Sequence, residues 1–338
     1  LGLAVGAPAP DATVATIDGS ETTLASHLGE GTTMLVFYRG GWCPYCNFQI
    51  RELTENHESF VERGVSLVLV SVDRIEESAR TSATYEIPFA VLSDADLAAH
   101  RAFRVLQEVD APTLERLQGM GIDLEASSGR DHHTIAVPSV FLIRDGVVVF
   151  RHVEPDYRTR PSVPQLLAAI DGLHWKWLLA SSWMATDGTG LKVLIPGLPA
   201  AHDGYIELYR NRECAVFQYS PTKHGDDVVA KLRPFEGTLT ADAESRFNGV
   251  FTSGRVIEAG CNAHGRRKFR DAEATQPVLA KEGGAFITAM YVAEEEAQKL
   301  GLVGDALLAH RQSRIRPICE EFDKWRAAVL PTLLPSEP

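Results

Sequence analysis

The sequence predicts an α/β protein with two domains. Its 338 residues suit two domains of ordinary size. In the first half, short apolar runs alternate with segments of helical spacing, whereas in the second half several strand-like runs precede a helix. The charges change at the same place, because residues 1–173 hold no lysine and 13 arginines against 24 acidic residues, and the remainder is nearly neutral. We therefore expect domains at 1–173 and 174–338.

The composition limits the classes of function. A net charge of −12 at pH 7 disfavours a uniformly basic nucleic-acid binder. No apolar run approaches the ~20 residues of a membrane span, so an integral membrane protein is not expected. Five widely spaced cysteines are an odd number, which disfavours a secreted disulfide scaffold and leaves at least one free thiol. The sequence begins at Leu1 without a recognisable export signal, so we expect a cytoplasmic protein.

Apolar, β-branched runs define the predicted strands of the first half, and amphipathic segments define its helices. The last two strands flank Asp145-Gly146, a strong hairpin signal. This order predicts a mixed sheet with helices on both faces. The predicted elements are strand Thr33–Tyr38, helix Cys46–Arg63, strand Ser66–Val72, helix Glu76–Thr84, strand Phe89–Leu92, helix Ala95–Arg104, strands Ser139–Ile143 and Val147–His152, and helix Val163–Leu173.

A pair of cysteines lies between the first strand and its helix, in the string Arg39-Gly-Gly-Trp-Cys-Pro-Tyr-Cys46. At the first turn of a helix, Cys43 and Cys46 can close a small disulfide, and the helix N-terminus favours the thiolate that a nucleophilic sulfur needs. Arg39 adds positive potential. A zinc site and an inert structural pair are the alternatives; zinc is disfavoured because this half has no second Cys-x-x-Cys.

The string FYRGGWCPYC, together with Ala136-Val137-Pro138-Ser139, resembles the thioredoxin superfamily, in which that proline is cis and faces the dithiol. Residues 1–173 are more closely similar to peroxiredoxin-like proteins of the alkyl hydroperoxide reductase and thiol-specific antioxidant group, through VGAPA at 5–9 and VEPDY at 153–157. The resemblance implies a thioredoxin fold, a peroxide or disulfide substrate, a thioredoxin-like or small-thiol reductant, and no cofactor. It also implies substrate contacts from Arg39, Trp42 and Pro138.

The resemblance leaves open which sulfur attacks. In the family, the peroxidatic cysteine ends a Pro-x-x-x-Thr-x-x-Cys motif, which places Arg39 at the proline, Cys43 at the threonine and Cys46 at the peroxidatic position. In thioredoxin-type exchange the earlier thiol attacks, and we favour Cys43 as the more exposed sulfur. In either case the partner resolves the intermediate into a Cys43–Cys46 bridge. A general disulfide reductase is the alternative activity.

Three further arginines of the first half are candidates to polarise a peroxide oxygen. In a half with 13 arginines, any one of them is more often a solvated surface residue. These candidates are Arg130, Arg158 and Arg160.

In the second half, an aspartate accompanies the first and the fourth predicted strands. Asp187 lies between Trp183–Thr186 and Leu191–Ile195, and Asp242 follows Thr238–Thr240. The predicted order is several strands in succession, then a helix and a further strand. With these two carboxylates, this order is a ribonuclease H-like arrangement, in which the two aspartates can hold Mg²⁺. The remaining predicted elements are strands Tyr205–Tyr209 and Ala215–Tyr219, helix Asp226–Leu232 and strand Arg255–Glu258.

The strings TDGTGLKVLIPG, GTLTADAESRFNGVF and RVIEAGCNAHGRRKF resemble the catalytic region of transposases of insertion sequence family sixty-six, over roughly 180–337. The resemblance makes Asp187 and Asp242 the first two members of an Asp-Asp-Glu triad. The family's third carboxylate lies in a later stretch that the chain does not reach, so we expect a partial, inactive transposase remnant with weak Mg²⁺ binding and no DNA partner. A DNA-binding, transposition-related protein is the alternative.

Other candidate residues of the second half have simpler interpretations. The basic cluster Arg266-Arg267-Lys268 can contact phosphate, and the neighbouring Cys261 and His264 are too few ligands for zinc. We expect Glu294–Glu296 to form a solvated helix face, and Cys214 and Cys319 to be buried as small apolar residues.

Overall fold

The chain folds as two units, Leu1–Leu173 and His174–Pro338, each with its own apolar core. The computed structural model describes residues 1–29, 31–194, 196–197 and 200–333. One helix, Val163–Ala180, runs across the boundary: Val163 and Ile170 pack in the first core and Leu178 packs in the second. Within the described ranges, no helix combines the length and the apolarity needed to cross a membrane.

A seven-stranded sheet forms the centre of the first unit. Its strand order is β2-β1-β5-β4-β3-β8-β9, with β3, β4 and β5 parallel and β8 antiparallel to β3. Every residue of β3 is buried, because helices cover both faces of the sheet. The strands are β1 (Thr13–Thr16), β2 (Glu21–Thr23), β3 (Thr32–Phe37), β4 (Val65–Ser71), β5 (Ala90–Ser93), β6 (Leu106–Glu108), β7 (Thr134–Ala136), β8 (Ser139–Arg144) and β9 (Val147–Val153).

Two helices of the first unit are shorter than the sequence predicts, whereas α4 and α8 are longer. The predicted helix Cys46–Arg63 breaks at Asn56, whose side-chain amide donates to the Glu52 carbonyl and ends the first segment. Leu97 has a left-handed backbone, so the helix predicted over Ala95–Arg104 is limited to five residues. The helices are α1 (Leu24–His27), α2 (Pro44–Glu55), α3 (His57–Val61), α4 (Ile75–Thr84), α5 (Ala98–Ala102), α6 (Ala111–Gly119), α7 (Leu124–Ser128) and α8 (Val163–Ala180).

The prediction of a cis bond before Pro138 is wrong. Among the described residues no peptide bond is cis, so the Val137–Pro138 bond is trans. The chain leaves β7 and enters β8 here in an extended course, with the Val137 N–H donating to the Val105 carbonyl, and this course needs no tight turn. Because Ser139 pairs with Phe37, the Pro138 linker still reaches the end of β3, where the dithiol loop begins.

The second unit contains a five-stranded sheet of order β12-β11-β10-β13-β14. Its first three strands are antiparallel, and β13 and β14 run parallel to β10, which is the ribonuclease H-like arrangement. The two strands predicted around Asp187 are one continuous strand paired with β11 from Ala185 to Val193; the predicted end at Ile195 lies outside the described residues. The strands are β10 (Trp183–Val193), β11 (His202–Arg210), β12 (Ala215–Ser220), β13 (Gly237–Ala241) and β14 (Val256–Gly260).

Helices complete the second unit. Glu294 and Glu296, predicted as solvated acids, pair with Arg311 and Arg314 of the next helix and are partly exposed. The helices are α9 (Gly225–Leu232), α10 (Asn248–Phe251), α11 (Asn262–Ala272), α12 (Pro277–Lys299), α13 (Gly304–Arg314) and α14 (Arg316–Val329), with 3₁₀ turns at Ser245–Phe247 and Leu330–Thr332.

Candidate functional site

The two cysteines of the first unit lie at the N-terminus of α2. Cys43 is the N-cap residue, Pro44 is the first helical residue, and Cys46 lies in the first turn. Pro44 fits here because the first turn requires no amide from it. Both thiols are free and both are buried, at 1% and 0% exposure, so the expected difference in solvent exposure is very small.

The two sulfurs differ in acidity. The Cys46 thiol hydrogen-bonds to Cys43, and this contact is the main reason that the pKa of Cys43 is lowered to about 6. The Cys46 backbone N–H and the charges of Arg39 and Arg160 lower this pKa further, whereas burial opposes the shift. Burial raises the pKa of Cys46 well above its ordinary value, and its contact with Cys43 raises it further. Cys43 is therefore the thiolate of the pair at neutral pH.

Two arginines supply positive charge to the dithiol. The Arg39 guanidinium is buried, 5.0 Å from the ring centre of Trp42 and 4.3 Å from that of Tyr157. The Arg160 Nη2 lies 3.3 Å from the Cys46 sulfur, and its Nη1 donates to Gln49 Oε1 at 3.2 Å. Trp42 thus holds Arg39 in place by a cation–π contact.

The other two arginine candidates have different partners. Arg130 pairs with Asp96 at 2.8 Å, and Arg158 pairs with Asp156 at 2.9 Å. Both guanidinium groups are well exposed, as the sequence argument expects for most arginines in this half.

A cavity of about 630 Å³ opens beside Arg160. Its walls are mainly the apolar surfaces of α2 and of the segment before α8, and the Arg160 guanidinium is one of its polar groups. The cavity offers room for an organic group beside Arg160, the arginine that contacts Cys46. Its lining includes Pro44, Tyr45, Phe48, Leu53, Arg160 and Val163.

A carboxyl that the sequence argument did not single out contacts the dithiol loop. Asp73 is 1% exposed, and its Oδ2 accepts the Gly41 N–H at 2.7 Å. Asn47 binds the same residue from α2, donating its amide to the Gly41 carbonyl at 2.8 Å. The loop before Cys43 is therefore fixed by two polar side chains, of which Asp73 is buried and Asn47 is half-buried.

In the second unit, the structure brings Asp187 and Asp242 together and adds His264. One ligand atom from each lies within 4.8 Å of the others, the only such group among the described residues. His264 Nε2 is 3.8 Å from Asp187 Oδ1, and its Nδ1 is buried without a hydrogen-bond partner. Two carboxylates and an imidazole form a fitting donor set for one divalent cation. The sequence argument treated His264 as unconnected to the aspartates.

A buried ionic cluster supports the strand that carries Asp187. Glu207, opposite Gly188 in the β10–β11 register, is 1% exposed. Its carboxylate accepts from Arg246 at 2.7 Å, from Lys231 at 2.9 Å and from the Tyr209 hydroxyl at 3.0 Å. A Cβ at Gly188 would lie 2.9 Å from Arg246 Nη2, so glycine leaves room for this network.

Part of the predicted basic cluster lines a cavity of about 1240 Å³ among the helices of the second unit. Arg266 and Arg267 contribute, whereas Lys268 is not among the lining residues. Further basic lining residues are Arg270, Lys281 and Arg314. The prediction that Cys214 and Cys319 are buried is wrong: both are partly exposed, as is Cys261. Cys214 and Cys261 lie in segments that connect two elements, and Cys319 lies on α14, which has no buried residue.

Comparisons with known proteins divide the chain in the same way. The model of the AhpC/TSA family matches residues 5–151, and that of the Transposase IS66 family matches residues 160–338. Among curated relatives, Peroxiredoxin 2 of Caldanaerobacter subterraneus subsp. tengcongensis is 26% identical over 203 residues, covering 57% of this chain and 79% of the relative. Peroxiredoxin 2 of Thermoplasma acidophilum is 28% identical over 179 residues, covering 51% of this chain and 77% of the relative.

Similar solved structures include two bacterial proteins. Peroxidoxin BcpB from Mycobacterium tuberculosis matches with 18% identity and a TM-score of 0.39, over 50% of this chain and 97% of that one. Reduced Prx3 from Vibrio vulnificus in complex with hydrogen peroxide matches with 17% identity and a TM-score of 0.42, over 50% of this chain and 99% of that one.

The fold and the dithiol define the first unit as a peroxiredoxin-like thiol peroxidase domain, followed by an α/β unit of transposase type. The chain belongs to the Transposase IS66 family, whose model matches residues 160–338, and its residues 5–151 match the model of the AhpC/TSA family.

Proposed function

We propose that the first unit reduces peroxides through a dithiol cycle in which Cys43 attacks and Cys46 resolves. The observation that carries the proposal is the position of Cys43 at the N-cap of α2, beside the Cys46 thiol and near two arginines. These surroundings lower the pKa of Cys43 to about 6 and make this sulfur the thiolate at neutral pH. The thiolate attacks one peroxide oxygen, the S–O bond forms and the O–O bond breaks. The departing oxygen takes a proton and leaves as an alcohol or water, and Cys43 becomes a sulfenic acid.

The surrounding residues support this step. Arg39 and Arg160 are cations that polarise the peroxide and stabilise the charge on the departing oxygen. Trp42 holds Arg39, and Pro138 precedes Ser139, which pairs with the last residue of β3; we retain Arg39, Trp42 and Pro138 as substrate-contacting residues.

A thiol must return the bridge to the dithiol. We propose a thioredoxin-like or small-thiol reductant and a reducing compartment, the cytoplasm, in which the free thiols persist. Turnover of peroxide with purified thioredoxin as reductant distinguishes this activity from general disulfide reduction, in which a disulfide but not a peroxide is consumed.

Mass mapping of the oxidised full chain tests the cycle. One equivalent of peroxide is expected to remove two thiols and to join Cys43 to Cys46. Cys46→Ser should retain a sulfenic acid on Cys43 that dimedone traps, and Cys43→Ser should not react. Cys214→Ser, a change outside the site, serves as the control and should behave as the parent. A bridge from either site cysteine to Cys261 or Cys319 would contradict the proposal.

We infer that the second unit holds one divalent cation weakly and does not cut or join DNA. In-line phosphoryl transfer by two metal ions depends on several fixed anionic ligands, and the group formed by the described residues has only two carboxylates beside an imidazole. When bound, the ion would polarise a phosphoryl oxygen. The mixed donor set suits Mn²⁺ better than Mg²⁺, whose ligands are oxygens.

Incubation with Mn²⁺ or Mg²⁺ and DNA carrying matching insertion-sequence ends tests this inference. We expect no strand cleavage. Arg266 and Arg267 give phosphate a place to bind, so any DNA retention should fall steeply as salt approaches physiological concentration. Cleavage by the parent, lost in the double variant Asp187→Ala, Asp242→Ala, would overturn the inference and favour an active transposase.

A further inference from the structure

The dithiol site contains a buried cation without a carboxylate partner. Arg39 is 8% exposed, its Nε is buried without a hydrogen-bond partner, and its side chain forms no ion pair among the described residues. Burying a charge is costly unless the surrounding groups compensate for it. Arg130 and Arg158, by contrast, are exposed, and each pairs with an aspartate. The Arg39 guanidinium must therefore be stabilised in another way.

Two aromatic rings take the place of the missing carboxylate. The guanidinium carbon of Arg39 lies 4.3 Å from the ring centre of Tyr157 and 5.0 Å from that of Trp42. Both distances are within the ~6 Å over which a ring face attracts a cation. An aromatic ring holds a cation without neutralising it, whereas a carboxylate would cancel much of the field that reaches neighbouring groups. The charge of Arg39 therefore remains available to stabilise an anion at the dithiol.

A short turn after β9 carries Tyr157. The turn is closed by two hydrogen bonds, from the Thr159 N–H to the Asp156 carbonyl at 2.9 Å and from the Arg158 N–H to the Asp156 carboxylate at 3.1 Å. The Tyr157 ring packs edge-on against Tyr45, with 5.4 Å between the ring centres. Because Tyr45 belongs to the Cys-Pro-Tyr-Cys segment, this contact ties the turn to the dithiol itself.

The same turn also orients the second cation of the site. The Tyr157 carbonyl accepts Arg160 Nε at 3.0 Å, and Arg160 Nη2 lies 3.3 Å from the Cys46 sulfur. Tyr157 therefore contacts both arginines, Arg39 through its ring and Arg160 through its backbone. A substitution of Tyr157 removes the ring but leaves the carbonyl, so the two contacts can be separated by experiment.

We propose that Tyr157 is a positioning residue for peroxide reduction, and that its ring holds the Arg39 guanidinium beside the dithiol. This inference rests on the proposed dithiol cycle, in which a Cys43 thiolate attacks the peroxide. A fixed cation stabilises the thiolate and the charge on the departing oxygen most effectively, because it needs no reorientation during the reaction. The hydrogen bond from Cys46 contributes most to the lowered pKa of Cys43, and the charge of Arg39 lowers it further. Without the Tyr157 ring, the guanidinium keeps only the longer of its two ring contacts.

Stopped-flow measurement of peroxide consumption by the reduced full chain tests this role. Tyr157→Leu should slow the reaction with hydrogen peroxide roughly tenfold at neutral pH, and the midpoint of its pH profile should lie above the value near 6 expected for the parent. The ring is 39% exposed, so its loss should leave the unit folded. Tyr157→Phe keeps the ring and should match the parent. Tyr219→Leu removes an exposed ring from the second unit and, as the control, should also match the parent.

A double-mutant cycle tests whether Tyr157 acts through Arg39. Arg39→Met should itself slow the reaction, and Tyr157→Leu should add little in that background, because the ring then has no cation to hold. In the Arg160→Met background, Tyr157→Leu should keep its full effect, because the ring contacts Arg39. An effect of Tyr157→Leu that persists with Arg39→Met would overturn the proposal.

Alkylation of Cys43 by iodoacetamide, mapped by mass spectrometry across pH, measures the thiolate without peroxide. Tyr157→Leu should raise the midpoint of this profile, and Tyr157→Phe should leave it unchanged. The role of Tyr157 is refuted if Tyr157→Leu reacts with peroxide and iodoacetamide as the parent does, or if Tyr157→Phe loses as much rate as Tyr157→Leu. Failure of the parent to consume peroxide would instead refute the dithiol cycle, and the alkylation profile would still test the contact between Tyr157 and Arg39.

Discussion

Replacement of Asp73 with Asn should stabilise the first unit, and more so as the pH rises. Burial raises the pKa of this carboxyl from 3.8 to about 7, so the folded chain favours its protonated form. Asparagine is neutral at every pH, and its side chain is nearly identical in shape to that of aspartate. Its carbonyl oxygen can still accept the Gly41 N–H that Asp73 accepts at 2.7 Å.

The magnitude follows from the pKa difference between the folded and unfolded chain. For an acid whose pKa rises on folding, the fold is most stable below the unfolded pKa and loses stability as pH rises toward the folded pKa. A rise of about 3 pKa units at 1.36 kcal/mol per unit costs about 4 kcal/mol at pH 8 and about 2 kcal/mol at pH 5. The Asp73→Asn variant avoids this cost, so its free energy of unfolding should exceed that of the parent by these amounts.

Urea unfolding of the reduced full chain at both pH values provides the assay. Pulsed labelling of Cys43 and Cys46, both buried in the first unit, reports the unfolding of that unit alone. Asp94→Asn is the matched control, since Asp94 is also buried but accepts from the His100 ring at 2.6 Å. Weakening that bond should destabilise the unit by about 1–3 kcal/mol. If Asp73→Asn proves less stable than the parent at pH 8, the loop stabilises the ionised carboxylate and the reasoning fails.

Three further predictions concern the dithiol and the cation group. The rate of peroxide consumption should rise with the thiolate fraction of Cys43, with a midpoint near pH 6 and a plateau above it; stopped-flow measurements that place the midpoint near pH 9 would contradict this. Arg160→Met should slow the reaction with peroxide roughly tenfold through loss of a cation at the site, whereas Arg130→Met, a change in an exposed ion pair, should leave the rate unchanged; equal effects of the two variants would argue against a special role for Arg160. His264→Ala should weaken Mn²⁺ binding about tenfold in titrations followed by electron paramagnetic resonance, and an unchanged affinity would exclude the imidazole as a ligand.

The sequence predicts the elements that are apolar or strongly periodic. The buried runs that became β3 and β4 are identified to within one residue at each end, because a strand covered on both faces must be apolar throughout. The segment between α5 and β8 contains β6, α6, α7 and β7, none of which was predicted. These elements are short and mostly polar, and their positions depend on tertiary contacts that leave no periodic pattern.

Prediction of the site succeeds where the chemistry is local. Cys43 and Cys46 belong to one turn, so their spacing alone brings them together. Arg160 reaches Cys46 across 114 residues, and no feature of the sequence distinguishes it from the other arginines. Asp73 also depends on the sheet, because it reaches the dithiol loop only through the pairing of β3 with β4.

His264 was predictable in principle. Asp242 follows β13 and His264 follows β14, and these strands are parallel neighbours beside β10. The carboxyl ends of parallel strands meet at one edge of a sheet, so residues that follow them are brought together. The predicted ribonuclease H-like arrangement therefore contained the signal, but the Cys-x-x-His spacing drew attention to zinc instead.

The order of events at the dithiol follows from the coupling of the two sulfurs. Two unit charges 4 Å apart interact by about 4 kcal/mol at an effective dielectric constant of 20, so a thiolate on one sulfur strongly opposes a thiolate on the other. The contact with Arg160 does not reverse this effect at Cys46, whose pKa stays raised by burial and by Cys43. Once Cys43 is oxidised to a neutral sulfenic acid, its charge no longer opposes ionisation, whereas Arg160 remains in place. Cys46 thus becomes easier to deprotonate only after Cys43 has reacted, and this change orders attack before resolution.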